Sequence, residues 1–246
     1  MKKIWPLVAL GIAAYIVFAL VTLPARVITS RLPPDIVIAG AEGTAWNGRA
    51  PVVIVGGANV GSITWKLHAL PLLALKLQAD VKVTRSQGFL QGTVSVSGSR
   101  DVSLTGFSGS LPLDSLPAHA VPGGWTGTVN AKLARLDLQD GWPVRADGTL
   151  EVLDLVGPAR KPAPLGSYKI IFPPEPTGNE LVGALADMGG PLEIAGNVRL
   201  SPDRSYLVEG SVAARPEASR SMADSLQILG TPDAQGRRPF SLSGTM

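Results

Sequence analysis

Alternation with a period of two is the feature that most restricts how this sequence can fold. Residues 73–84 read LALKLQADVKVT, with apolar side chains at the odd positions and mainly polar ones at the even positions. A helix would scatter both groups around its circumference, whereas a strand places successive side chains on opposite faces. The stretch therefore predicts one or two strands with a single dry face. That face comprises Leu73, Leu75, Leu77, Ala79, Val81 and Val83.

Further alternating runs follow at residues 93–97, 101–105, 128–133, 149–152, 192–200 and 206–212. Each is bounded by Gly, Pro, Asn or Asp, which is typical of hairpins and meanders. The chain holds 28 Gly and 21 Pro without a fixed period, a composition that favours many turns over a fibrous fold. We predict a mainly β fold built on a curved antiparallel sheet.

Two of these runs change phase. Within residues 129–138 the apolar positions switch parity after Leu133, and within residues 150–155 they switch after Val152. A β-bulge inserts one residue into a strand and bends the sheet, which would produce this change. A short turn between two strands would produce the same pattern, so both interpretations stay open.

Helical patterns are few, and we predict one or two short helices. Residues 216–229 carry apolar side chains at spacings of three and four, with Pro216 at the first position and Gly230 after the end. A shorter candidate begins at Asn179 and ends before Gly189. The Pro-rich residues 157–165 either divide two β units, at 35–156 and 166–246, or join strands of one continuous sheet. We prefer the continuous sheet.

Residues 4–23 contain no charge over twenty positions, a length that spans a bilayer as a helix. Trp5 suits an interfacial anchor, and Pro6 falls in the first turn. A cleaved signal peptide is the alternative, but its apolar region is usually about 7–15 residues long. Because Pro24 is also a poor cleavage context, an uncleaved single transmembrane helix is favoured.

Flanking charges favour a cytoplasmic N-terminus, since Lys2 and Lys3 precede the run, although Arg26 and Arg31 follow it. The expected organisation is a cytoplasmic tip (1–3), a transmembrane anchor (4–23), a juxtamembrane segment (24–34) and a β-rich domain (35–246). A subdivision of that domain near 157–166 is the alternative already described.

Residues that could carry chemistry are scarce. The chain has no Cys, which excludes thiol catalysis, disulfides and Fe–S sites, and it has only two His. GFSGS at 106–110 resembles a nucleophile elbow but ends in Ser110 where Gly is required, and we interpret it as a turn. The net charge is +3 without a long basic run, so nucleic acid is not expected as a partner. We expect no catalytic residue, metal or cofactor.

Four segments follow one another in a recognisable order: LPAR (23–26), RLPPDIVIAGAEGTAWNGRA (31–50), ITWKLHALPLL (63–73) and SLQILGTPDAQGRRPFSLSGTM (225–246). This order resembles the type II secretion system protein N family. The resemblance implies a single-pass inner-membrane protein with a periplasmic β-rich domain and no enzymatic activity. It also implies an accessory role in the export of folded proteins. The implied partners are other inner-membrane subunits of the system and, as a further candidate, the outer-membrane secretin.

The family segments supply the structural candidate residues Gly43, Trp46, Gly48, Trp65, Gly230 and Gly236. For Trp46 we favour a ring packed in the β core. The alternative is that Trp46, Arg26 and Arg31 contact lipid headgroups, where indole and guanidinium groups are favourable. Trp5, Arg26 and Arg31 are therefore the candidate headgroup contacts.

Three functions compete. The first is a structural role through protein contacts, for which exposed sheet edges offer strand addition. The second is lipid binding or transfer, because a curved sheet with one apolar face also resembles the groove of the AsmA family. The third is an envelope hydrolase, which lacks any catalytic constellation. Coverage of the apolar face by protein would separate the first two.

Overall fold

The computed structural model describes residues 11–12, 14–15, 18–19, 21–29, 36–55, 58–98, 101–116, 124–158, 163–175 and 178–245. These residues divide into two compact units, Met1–Ser86 and Gln87–Met246. Both are dominated by antiparallel strands, which confirms the prediction of a mainly β fold with few short helices. The candidate headgroup contacts Trp5 and Arg31, together with part of the predicted anchor, lie outside the described residues.

Among its described residues, the first unit contains strands β1 to β5 and the short helix α1. The bounds are α1 (Ala25–Thr29), β1 (Ile36–Ala39), β2 (Glu42–Gly43), β3 (Asn47–Val55), β4 (Ala58–His68) and β5 (Leu77–Arg85), with a 3-10 helix at Leu70–Ala74. The strands are ordered β1-β3-β4-β5, and β2 pairs with the start of β3. The buried apolar residues described in this unit are all small or β-branched: Ala25, Ala45, Ala50 and Val53.

The second unit contains strands β6 to β14, each antiparallel to the next along the chain. The bounds are β6 (Gly88–Val96), β7 (Val102–Pro112), β8 (Thr126–Gln139), β9 (Trp142–Val156), β10 (Pro164–Phe172), β11 (Leu181–Asp187), β12 (Leu192–Leu200), β13 (Ser205–Ala214), α2 (Arg220–Ser225) and β14 (Arg238–Thr245). Its core is a cluster of Leu133, Ala146, Phe172 and Leu181. The Pro-rich residues 157–163 connect β9 to β10, which pair with each other.

The strand predicted at 73–84 begins later than the alternation suggested. Leu73 and Ala74 lie in the 3-10 helix and Leu75 takes a left-handed conformation, so these residues were wrongly predicted to be extended. Pro71 fixes its own backbone angle and lacks an N–H, which starts the turn. From Ala79 to Val83 the predicted dry face is confirmed as half-buried, whereas Leu77 stays 47% exposed.

Both phase changes are β-bulges, as one of the two interpretations predicted. Leu133 pairs with Gly148 and Arg135 with Asp147, so one extra residue of β8 lies between two consecutive residues of β9. The second bulge lies at Asp154, whose φ is 51° and whose N–H donates to the Ser167 Oγ at 3.0 Å. The side chain of Ser167 thus satisfies a donor that the interrupted ladder leaves open.

Two local predictions were wrong. The helix expected from Asn179 is strand β11, because Leu181 and Gly183 are buried two residues apart and Gly183 lies beneath Phe172 on β10. The GFSGS sequence lies inside β7 and not in a turn.

The helix predicted at 216–229 exists but is shorter. It begins after the N-cap Ser219, whose side chain accepts from the Met222 N–H, so Pro216 precedes it. A 3-10 helix at Leu226–Leu229 completes it, and Gly230 follows the end as predicted. No helix among the described residues is both long enough and apolar enough to cross a membrane. The anchor at 4–23 therefore stays a prediction.

Candidate functional site

A tight turn at residues 42–48 forms the centre of the site. The Thr44 N–H donates to the Asn47 carbonyl at 2.9 Å, and the Asn47 N–H donates to the Thr44 hydroxyl at 3.1 Å. Gly43 has φ 87°, and a Cβ there would lie 2.5 Å from the Asn47 carbonyl oxygen. Only glycine fits this position, because an added carbon would meet backbone that cannot move away.

The segment that follows the apolar run docks onto this turn. The Ala45 N–H donates to the Leu23 carbonyl at 2.7 Å, and Pro24 forms an antiparallel bridge with Thr44. Ala25 and Ala45 are each only 1% exposed, so the two backbones approach closely with no large side chain between them. The small residues are what permit this approach.

Trp65 on β4 closes the other side of the turn. Its indole N–H donates to the Ala45 carbonyl at 3.1 Å, and its ring lies over Gly48, where a Cβ would come within 2.3 Å of the Trp65 Cζ2 atom. The neighbouring Trp46 is half-buried and its carbonyl accepts from the Leu67 N–H at 2.7 Å. The glycine thus provides the space into which the ring packs.

We call this arrangement the anchor junction: Leu23, Pro24, Ala25, Thr44, Ala45, Gly48 and Trp65. It brings together residues of the first, second and third segments of the family resemblance, from Leu23 to Trp65, 42 positions apart in the sequence. The junction itself contains no charged side chain. An exposed ion pair joins Arg49 to Glu42 at 2.6 Å nearby, and the His68 Nε2 lies 2.9 Å from an Asp80 carboxylate oxygen, within hydrogen-bond distance.

The remaining predicted residues lie elsewhere. Arg26 is exposed on α1. Gly230 has φ 99° after the 3-10 helix, and its carbonyl accepts from Arg238 at the start of β14. Gly236 has φ 80° in the turn closed by Asp233 and Arg237. Both glycines take conformations in which an L side chain would be strained.

A polar cluster in the second unit escaped the sequence analysis. Arg215 donates to Asp187 at 2.7 Å and to the Gly190 carbonyl at 3.0 Å. Burial opposes ionisation of Asp187, yet the hydrogen bonds from Arg215 and the backbone outweigh it and lower the pKa of this carboxyl. Burial, with the nearby charge of Asp187, raises the pKa of Tyr168 to about 12. No sequence motif marks these positions, because the partners Asp187 and Arg215 are 28 residues apart.

This cluster borders an open cavity of about 440 Å³ next to Pro191, Glu217 and Met222. The guanidinium of Arg215 is already bonded to Asp187 and Gly190, so its role is to tie β11 to the end of β13. Across the residues that the structure describes, no three His, Cys, Asp or Glu side chains converge to hold a metal ion. The arrangement joins segments of the chain to one another.

Fold and site together define a mainly β protein whose distinctive residues fix one part of the backbone against another. A family model described as type II secretion system (T2SS), protein N, matches residues 34–241. The chain belongs to this family, as the resemblance predicted.

Curated relatives agree with the family match. The chain is 28% identical to the type II secretion system protein N of Aeromonas hydrophila, over 99% of both chains. It is 29% identical to the protein of the same name from Vibrio cholerae, over 92% of both chains. A match to the protein of that name from Aeromonas salmonicida is 42% identical over 45 residues, 18% of this chain and 96% of the relative. No solved structure matches.

Proposed function

We propose that this chain is an accessory component of type II secretion that is anchored in the inner membrane by residues 4–23. Its sheet acts in the periplasm by contact with other subunits of the system and performs no chemical step. Membership of the protein N family supports the role in secretion.

The observation that carries the proposal is the anchor junction. Leu23, the last residue of the apolar run, is hydrogen-bonded to the turn that starts β3, and the adjacent Pro24 is bridged to it. A flexible tether would let the domain sample many orientations, whereas bonds at this position couple the sheet to the end of the predicted anchor. Fixed orientation is what a component that works by contact requires.

Strand β14 offers the contact surface. In the strand order it pairs with β13 and with no other strand among the described residues. Pro239 has no N–H, so its position in the ladder is tolerated only where the backbone faces away from β13. Because strands have a period of two, the N–H groups of Ser241 and Ser243 face outward as well. A partner strand could add there through main-chain hydrogen bonds.

Replacement of Ser243 by Pro tests this surface. The change removes one outward N–H while leaving the bonds to β13, and Ser243→Ala, which keeps the N–H, is the matched control. We expect Ser243→Pro to reduce both export in a complemented deletion strain and co-purification with inner-membrane secretion subunits, while Ser243→Ala retains both. Normal export in the deletion strain itself, with no subunit recovered by the wild-type chain, would refute the proposed function.

One observation favours lipid binding as a second candidate. Val198, Val208 and Leu242 are direct neighbours across β12, β13 and β14, so they share one face of the sheet. The row ends in Leu242, which is 60% exposed, so its apolar surface continues to the open edge. Mass spectrometry of the portion from Leu23 onward, purified without detergent, would detect retained phospholipid if this face forms a groove. Loss of that phospholipid in Leu242→Asp would locate it there.

A further inference from the structure

Residues 69–76 connect β4 to β5 and expose an unusual amount of apolar surface. We call them the leucine loop. Leu70 is 80% exposed, Leu73 is 87% exposed and Leu75 is 86% exposed, and Leu77 just beyond is 47% exposed. Single exposed apolar residues are ordinary on protein surfaces, whereas neighbouring ones that form a contiguous patch mark sites of interaction with protein, membrane or ligand.

The loop is held in a defined conformation. The Leu75 N–H donates to the Leu72 carbonyl and the Lys76 N–H donates to the Pro71 carbonyl, both at 3.0 Å. Leu75 has φ 55°, in the left-handed region that Gly or Asn adopts at lower cost. Its side chain gains no burial in return within the chain. Strain of this kind persists only where the surrounding structure holds it, and it clusters at functional positions.

The leucine loop lies at the same end of the first unit's sheet as the anchor junction. β4 ends at His68, which is opposite Gln78 near the start of β5, and Lys66 is opposite Asn47 at the start of β3. The junction holds Leu23 next to that start of β3. The exposed leucines and the end of the apolar run therefore share one end of the sheet.

Charge at this end is mixed. Asp80 lies opposite Lys66 and is 2.9 Å from the His68 ring, and Glu42 pairs with Arg49 at 2.6 Å. Two exposed lysines remain beside the leucines, because Lys66 precedes the leucine loop on β4 and Lys76 is its last residue. Apolar side chains flanked by lysines fit the interface of a bilayer that contains anionic lipid.

We propose that the leucine loop is a second membrane contact of this chain. Leu70, Leu73 and Leu75 enter the interfacial region of the bilayer that holds residues 4–23, and Lys66 and Lys76 lie at the headgroups. This inference rests on the membrane anchor of the proposed function. The anchor junction fixes the sheet relative to the end of the anchor, and the loop, as a second attachment, then fixes its tilt relative to the bilayer surface.

A cysteine-free chain permits a direct test. The full-length chain is reconstituted into vesicles of phosphatidylethanolamine and phosphatidylglycerol, with an environment-sensitive fluorophore on Leu73→Cys. Thr84→Cys, an exposed position near the opposite end of β5, is the matched control. We expect the label at 73 to emit at shorter wavelength, to be quenched by brominated lipid and to resist iodide. The label at 84 should behave in the opposite way.

A second arm tests the lysines. In the Leu73→Cys background, we expect the double change Lys66→Gln and Lys76→Gln to increase iodide access to position 73 several-fold in vesicles that contain phosphatidylglycerol. In vesicles of phosphatidylcholine alone, the same double change should alter iodide access little.

Two failures are distinguishable. If alkaline extraction releases the chain from the vesicles, the anchor is wrong and the proposed function falls with it. If the chain stays in the membrane while iodide reaches position 73 as freely as position 84, the second contact alone is overturned. The leucines would then be available to a protein partner.

Discussion

The anchor junction of the first unit and the apolar cluster of the second are built in opposite ways. In the junction, Ala25 and Ala45 let two backbones meet, and the Trp65 ring fills the space above Gly48. In the cluster, Phe172 and Leu181 provide bulk and are 6% and 3% exposed. Antiparallel strands can thus be held by close backbone approach or by side-chain volume. The stability of the anchor junction should therefore be sensitive to added atoms, and the stability of the apolar cluster to removed atoms.

The largest effect should come from removing volume in the cluster. Phe172→Ala should lower the free energy of unfolding by about 3–5 kcal/mol, because the lost ring leaves a cavity among rigid strands. Urea denaturation of the full chain in detergent measures this change. Ile171→Ala is the control on the same strand, where the side chain is 43% exposed, and it should cost less than about 1 kcal/mol. Equal costs at both positions would remove the distinction between the two regions.

Adding one carbon should be the sensitive change in the junction. Gly48→Ala should cost about 1–3 kcal/mol, because the new Cβ would meet the Trp65 ring and the Glu42 carbonyl. Gly98→Ala, where nothing lies within 4 Å, is the matched control and should be nearly neutral. The cost should shrink when Trp65 is also replaced by Ala, since the clash with the ring is then absent. An unchanged cost in that double variant would contradict ring packing as its cause.

Sequence reasoning succeeded where one period governed a whole segment. Alternation predicted β8, β9, β12 and β13, and the parity change after Leu133 located the irregularity that is a bulge, one of the two interpretations it allowed. It failed where the apolar positions of a short segment fitted both the helical period of 3.6 and the strand period of two. Residues 181–187 contain apolar side chains at helical spacing, but Gly183 beneath Phe172 is a contact with another strand, which local spacing cannot reveal.

The junction was partly predictable for a similar reason. Gly43, Trp46, Gly48 and Trp65 were singled out by family resemblance, yet the sequence gives no sign that Leu23 meets Ala45. That contact is a hydrogen bond between backbone groups, and such groups are the same in every residue. The pair of Asp187 and Arg215 was missed because Asp187 ends β11 whereas Arg215 directly follows β13, 28 residues further along the chain.

A smaller effect, on pH dependence, concerns this polar pair. The pKa of Asp187 is lowered in the folded chain, so its ionised form stabilises the fold above the unfolded value of about 3.9. That contribution is lost as the pH falls through the lower folded pKa. Asp187→Asn should therefore lower the urea midpoint at neutral pH. The difference in urea midpoint between this variant and wild type should narrow below pH ~4. A difference in urea midpoint that stays constant with pH would mean that the carboxylate charge is not what stabilises this site.

The smallest expected effect comes from removing one indole hydrogen bond in either region, and the two variants differ in where the chain loosens. Trp65→Phe keeps a ring over Gly48 but removes the N–H that donates to Ala45, and should cost about 1 kcal/mol. Trp142→Phe loses an equivalent bond to the Ser201 carbonyl, at 2.9 Å in the second unit, and should cost about the same. Amide hydrogen exchange distinguishes them, because only Trp65→Phe should speed exchange at Ala45 and Leu67. Since the Ala45 N–H is the donor that holds Leu23, faster exchange there measures loosening between the sheet and the end of the apolar run. Equal exchange in both variants would mean that the indole bond does not hold the junction, and that close backbone approach suffices.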